Sequence, residues 1–183
     1  LTDLFAAFKS VPNEEKKEYS LLLERICKEI KKRDTKHPIT SVEAWTFGLD
    51  WWQKHVPSLD IYGLNSYGPG ANLLEEELEK KGIDKPYILT EFGVTGEWDI
   101  KQKINDVIVE PNDTEKYDTI LNGYNNWIKN KSKNLGVFVF HYASGNEFMA
   151  PWLFTHYENM TRPQYWAIRE AFTGNKPLNT VPK

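Results

Sequence analysis

Lys85-Pro-Tyr-Ile-Leu-Thr-Glu-Phe-Gly93 reads as a buried strand that stops at an acid. Pro86 opens it, Tyr87 to Thr90 make the apolar run, and Glu91 ends it just before Phe92-Gly93. A carboxylate fixed at the end of a rigid strand projects at the rim of a sheet. Working outward, Leu59 to Leu64 forms a second strand, followed by Asn65-Ser-Tyr-Gly-Pro-Gly70, a loop by composition. Gly136-Val-Phe-Val-Phe140 is a third, and Ile39 to Ala44 a fourth.

Helices fill the intervals. Tyr19, Leu22, Leu23, Ile26, Cys27 and Ile30 recur at helical spacing, with Asn13 as the expected N-cap and Glu14 and Glu15 in the first turn. A loop and short helix cover Trp45 to Val56, and a longer helix runs from Leu73 to Lys81 with Gly82 beyond its end. Tyr117, Ile120, Leu121, Tyr124, Trp127 and Ile128 mark the next helix, capped by Asp113. Thr161 caps a last one, which holds Tyr165, Ile168 and Phe172 and stops at Gly174. Strands alternating with helices imply a parallel sheet with helices packed outside it.

The connections are unequal. Helix-to-strand links are short (Asp34 to Pro38, Gly82 to Pro86, about Asn130 to Asn134), whereas the long aromatic and polar loops all follow strands. In parallel α/β proteins the functional site lies at the carboxyl ends of the strands. That rule selects Glu43 to Trp45, Asn65 to Tyr67, Glu91 and His141 to Ser144. Tyr67 stands where its hydroxyl can donate to a carboxylate such as Glu91. Glu43 and His141 are candidates for binding a hydroxylated ligand. Trp45 lies beside Glu43, and Trp98 and Trp152 lie in long loops where an indole can stack on a ring.

The composition narrows the classes. In 183 residues, 40% hydrophobic and 27% charged residues describe a folded globular chain of one-domain size. A net charge of −3 argues against a nucleic-acid surface, and no apolar run reaches the ~20 residues of a membrane span. A lone cysteine, Cys27, excludes an internal disulfide framework. Aromatic residues make up 14%, including seven Trp, and many lie beside turn residues. No phosphate loop, dinucleotide fingerprint or zinc-protease motif occurs, so no cofactor and no metal is expected. Three Asn-x-Ser/Thr triplets, at Asn112, Asn130 and Asn159, carry no inference about compartment.

Several segments resemble one known group. Asp60-Ile-Tyr-Gly-Leu-Asn-Ser-Tyr67, Lys85 to Gly93 and Gly136-Val-Phe-Val-Phe-His-Tyr142 look like strands six, seven and eight of the retaining clan A glycoside hydrolases. Asp34-Thr-Lys-His-Pro38 resembles the entry to strand five, and Thr161 to Phe172 the closing helix. The flavour is nearest to family 2 and its relatives that act on β-glucans. The resemblance implies a (β/α)8 TIM barrel, of which residues 1–174 cover about strand five to helix eight plus the preceding helix, with 175–183 as a tail. It implies that Glu91 is the nucleophile of a retaining glycosidase and that Tyr67 hydrogen-bonds it. It also implies a carbohydrate substrate bound with help from Asn65, Glu43, Trp45, His141, Trp98 and Trp152.

Two departures accompany the resemblance. The group's acid/base glutamate follows an Asn that ends strand four, and no strand is legible before the first helix here. Asn13-Glu14 matches the letters, but Ser10-Val-Pro12 is a poor strand and the pair is explained as a helix start. The group's Trp near the end of strand eight is replaced by Phe140-His141-Tyr142. The expectation is therefore a trimmed chain whose acid/base lies upstream of Leu1. Its partner would be an N-terminal half barrel on the same precursor or a companion chain, without which catalysis fails. The alternatives are a complete four-stranded carbohydrate-binding or interaction module, and a barrel relative that binds sugar without cleaving it.

Overall fold

The computed structural model describes residues 2–96, 100, 103–105, 107–142 and 161–177. Two helices come first, α1 (Thr2–Ser10) and α2 (Asn13–Arg33). Then follow β1 (Thr40–Ala44), α3 (Leu49–His55), β2 (Ile61–Asn65), α4 (Gly70–Lys80) and β3 (Tyr87–Phe92). A two-stranded hairpin, β4 (Lys103–Ile104) and β5 (Val107–Ile108), precedes α5 (Asp113–Gly123), which continues into a π-helical turn at Tyr124–Ile128. β6 (Asn134–Val139) and α6 (Pro163–Thr173) complete the described chain.

β1, β2, β3 and β6 form one parallel sheet, in chain order without reversal. Parallel crossovers are right-handed, so an order that never reverses places every crossover helix on the same face. The burial pattern agrees. Tyr62 and Leu64 of β2 and Tyr87 and Leu89 of β3 are fully buried in one cluster with Cys27, Trp52, Leu74, Leu78 and Ile128 from the helices. The register sets Glu43, Leu64 and Leu89 level across three strands, and Val137 of β6 beside Leu89. Among the described residues no helix lies on the opposite face. Val42 and Phe138, which point away from that core by strand alternation, are 48% and 62% exposed.

Some element ends differ from the sequence reading. Asn13 is not a side-chain cap: α2 begins there, after an extended Pro12, with no capping hydrogen bond. The α5 cap is Asn112 rather than Asp113, because Asn112 and Glu115 complete a reciprocal capping box. Arg162, not Thr161, precedes α6, whose first residue is Pro163, a residue preorganised for a first helical turn. Gly82, at φ +65°, does end α4, and Gly82 and Ile83 N–H donate back to Glu79 and Leu78 as in a Schellman turn.

The α2 stripe also packs differently from its periodicity. Ser20, Glu24 and Cys27 are its buried residues, while Tyr19, Leu22, Ile26 and Ile30 are exposed. Glu24 is drawn inward because the Ser58 N–H and hydroxyl both donate to its carboxylate (3.0 and 2.8 Å). Those bonds rotate the helix about its axis relative to the one that apolar periodicity alone selects.

Candidate active site

The carboxyl ends of β2, β3 and β6 meet at one rim, and local irregularity shapes it. Leu89 and Phe92 both sit in the core, three residues apart instead of two. The register accordingly slips between them against β6, and between Leu64 and Asn65 against β3. Such a bulge re-aims side chains. Here it turns Glu91 off the core face, next to Thr90, which strand alternation already points that way, and pairs Asn65 with Glu91.

Glu91 is held by Tyr67, whose hydroxyl donates to Oε2 at 2.5 Å. Burial, then the hydrogen bond to Glu91 and its charge, push the Tyr67 phenol far above its ordinary pKa. Tyr67 therefore stays protonated, and a donor, across the neutral range. Its ring is set edge-on to Phe140 at the end of β6, with centroids 6.1 Å apart and planes at 78°. Phe140 is fixed in turn by its N–H, which donates to Phe92 O at 2.7 Å.

The backbone extends this order past the formal strands. Ser66 N–H donates to Glu91 O (2.9 Å) and Gly68 N–H to Gly93 O (2.8 Å). The loop after β2 is thus stitched to the end of β3 and to Gly93 just beyond it, which carries Tyr67 to Glu91. Gly68 has φ +53°, and a Cβ there would lie 2.4 Å from Thr95 Oγ1, so a side chain is excluded twice.

Asn65 is oriented by Thr90, whose hydroxyl donates to Asn65 Oδ1 at 2.7 Å. With the carbonyl side of the amide occupied, its NH₂ is the group turned elsewhere for donation. Thr90 was not singled out in the sequence, because a single strand does not show that its face meets Asn65 of the neighbouring strand. His141 follows Phe140 at the rim, with ring centroids 4.4 Å apart.

Glu43 and Trp45 lie apart from this group. Register sets Glu43 level with Leu64, on the face of the sheet that the helices cover, opposite Asn65. It borders a groove with Trp51 and Trp52, and one oxygen accepts from the Ala44 N–H (3.1 Å). Burial pushes its carboxyl up to about 7. Trp45 adopts φ +70°, packs against the core and lies against Gly70, where a Cβ would be 3.3 Å from its ring. Trp98 and Trp152 lie outside the described residues. Among the described residues, no group of three or more His, Cys, Asp or Glu side chains is placed to hold a metal ion, and no helix is long and apolar enough to cross a membrane.

No family model and no curated protein matches the chain. Solved structures do. A GH2 beta-galacturonidase from Eisenbergiella tayi, bound to galacturonate, superposes with a TM-score of 0.57 at 12% identity, over 90% of this chain and 31% of that one. A GH128 (subgroup II) endo-beta-1,3-glucanase from Pseudomonas viridiflava gives a TM-score of 0.59 at 12% identity, over 88% of this chain and 64% of that one. The likeness is one of fold. The chain spans less than two thirds of the length of either structure.

Proposed function

We propose that the chain is part of a (β/α)8-barrel glycoside hydrolase that cleaves a β-linked glycoside with retention of configuration, using Glu91 as nucleophile. The observation that carries this reading is the Tyr67–Glu91 pair at 2.5 Å, seated at the carboxyl ends of a parallel sheet that winds in one direction. The likeness in fold to a beta-galacturonidase and an endo-beta-1,3-glucanase supports the same reading.

The chemistry divides into two steps. A Glu91 oxygen attacks the anomeric carbon as the bond from that carbon to the glycosidic oxygen breaks. The electron pair of that bond leaves with the oxygen, which takes a proton from a second carboxyl group. The deprotonated second carboxylate then removes a proton from water, and the water oxygen displaces Glu91 from the anomeric carbon. The Tyr67 hydrogen bond fixes the Glu91 carboxylate against rotation and disperses its charge, which is what a positioned nucleophile needs before attack. The second carboxyl group belongs to a part of the barrel outside this chain. Asn65 and His141 lie where they can hydrogen-bond sugar hydroxyls. Trp98 and Trp152 are offered as stacking platforms, and Glu43 and Trp45, at the carboxyl end of β1, as further substrate contacts.

The test uses the intact native protein, assayed with aryl β-glycosides by proton NMR of the first-formed sugar. The reading predicts the β anomer first. It also predicts that Glu91→Gln removes turnover while leaving the melting temperature within a few degrees of the parent. Inversion of configuration, or a Glu91→Gln enzyme that still hydrolyses at the parent rate, contradicts it. A protein that binds these sugars without cleaving any of them is instead a binding module.

A further inference from the structure

Strict alternation along β3 would send Glu91 toward the helices. Leu89 faces the core, so the residue two further on, Glu91, would follow it, and Phe92 would turn outward. The reverse is found. Phe92 is fully buried in the core, and the register against β6 slips between Leu89 and Phe92. Phe92 thus holds the place that alternation assigns to Glu91, and something on the helix side must receive its ring.

The receiving point is Gly123, the last residue of α5. A Cβ there would lie 2.6 Å from Cζ of Phe92, the ring atom farthest from the β3 backbone. It would also lie 3.1 and 3.2 Å from Cε3 and Cζ3 of Trp127. The Phe92 ring therefore spans the gap from β3 to α5 and ends against bare helix backbone, with the Trp127 indole beside it. Gly123 has φ −60°, an ordinary helical value, so what the position requires is the missing side chain. Glycine inside a helix weakens it relative to alanine. The π-helical turn runs straight on from Gly123, and there Lys129 N–H donates to Tyr124 O, five residues back, at 2.9 Å. Single turns of this kind recur at functional sites.

Phe92 also reaches the second member of the rim pair. Its carbonyl accepts the Phe140 N–H at 2.7 Å, and the Phe140 ring meets Tyr67 edge-on. One ring in one notch thus fixes the direction of Glu91 through the backbone and the place of Tyr67 through Phe140.

We propose that Phe92, seated in the Gly123 notch, is a positioning residue that sets the Glu91 carboxylate on the rim and registers it against Tyr67. Buried on the helix side, it acts through Glu91 and not on the sugar. The proposal rests on the glycosidase reading above and adds to it a control of Glu91 from the helix layer.

Three variants of the intact native protein test it. Gly123→Ala sets a methyl against the Phe92 ring, Phe92→Leu withdraws the ring tip, and the double variant lets the methyl fill the space the ring leaves. On an activated aryl β-glycoside, Gly123→Ala is expected to lower kcat/KM about a hundredfold and Phe92→Leu about tenfold, while the inhibition constant of the matching thio-β-glycoside stays within about twofold. The double variant should recover to within about threefold of the parent, the sign of two residues in direct contact. Ultraviolet difference titration, each protein against its Tyr67→Phe counterpart, should show Tyr67 titrating lower in both single variants and regaining the parent value in the double variant. Losses that add in the double variant overturn the proposal. So do single variants that keep the parent titration or, in an active parent, the parent kcat/KM, and so does a loss confined to weaker thioglycoside binding. If Gly123→Ala does not fold, Phe92→Leu, which brings no clash, carries the same readouts. A parent that hydrolyses no glycoside defeats the glycosidase reading alone, because the titration still reports whether Phe92 sets the Glu91–Tyr67 pair.

Discussion

Tyr67 and Glu91 are mutually dependent. The phenol orients the carboxylate, and the carboxylate's charge helps hold the proton on the phenol. Burial is the larger cause of the Tyr67 shift. Glu91→Gln therefore lowers the Tyr67 pKa without returning it to the ordinary value of 10, which an ultraviolet titration of the variant against the parent checks. A variant whose tyrosine titrates no lower than the parent's contradicts the coupling. Glu43 gives a second residue-scale prediction. Its folded pKa of about 7 lies above the reference 4.5 because burial penalises the charged form. Protons are then bound more tightly in the folded state, so the stabilisation is complete below about pH 4.5 and is lost as pH rises through 7. Glu43→Gln should flatten that fall and gain roughly 1 kcal/mol at pH 8, read from urea unfolding at pH 5 and pH 8. Glu91, Tyr67 and Asn65 were legible in the sequence because each polar residue ends or follows an apolar run. Thr90 was not, since it looks like one more strand residue until the neighbouring strand sets Asn65 beside it. The side of the sheet that Glu43 takes depends on register, which a single strand does not reveal.

At the scale of elements, the strand and helix order was readable from periodicity, and the boundaries moved by a few residues. The β4–β5 hairpin and α1 escaped, the first because its strands are two residues each and the second because it precedes the strong α2 pattern. The α2 stripe teaches the most. Its apolar periodicity was plain, yet periodicity marks a contact face without saying which partner meets it. The Ser58–Glu24 bonds claim the other side of the helix for this chain's core. Strand β2 makes an element-scale prediction through Gly63. A Cβ there would lie 2.8 Å from Ser41 O, 3.0 Å from Thr90 Cγ2 and 3.1 Å from Val42 Cγ2. The carbonyl belongs to the β1 backbone and cannot swing aside. Gly63→Ala should destabilise the protein by about 1–3 kcal/mol and push Thr90 off Asn65. A substitution with no effect on the unfolding midpoint contradicts the close approach.

At the scale of the molecule, the sheet winds one way, and among the described residues no helix covers one of its faces and no strand pairs with the outer edge of β1. Both fold neighbours are longer than this chain. Glu91 stands at the carboxyl end of that sheet, where the open face and the rim loops meet. The most direct measurement of the account is covalent trapping. The intact native protein is incubated with activated 2-deoxy-2-fluoro-β-glycosides, digested, and its labelled peptide sequenced by mass spectrometry. The account predicts one sugar ester, on Glu91, absent from Glu91→Gln. A stable label on any other carboxylate, with Glu91 unmodified, would contradict it.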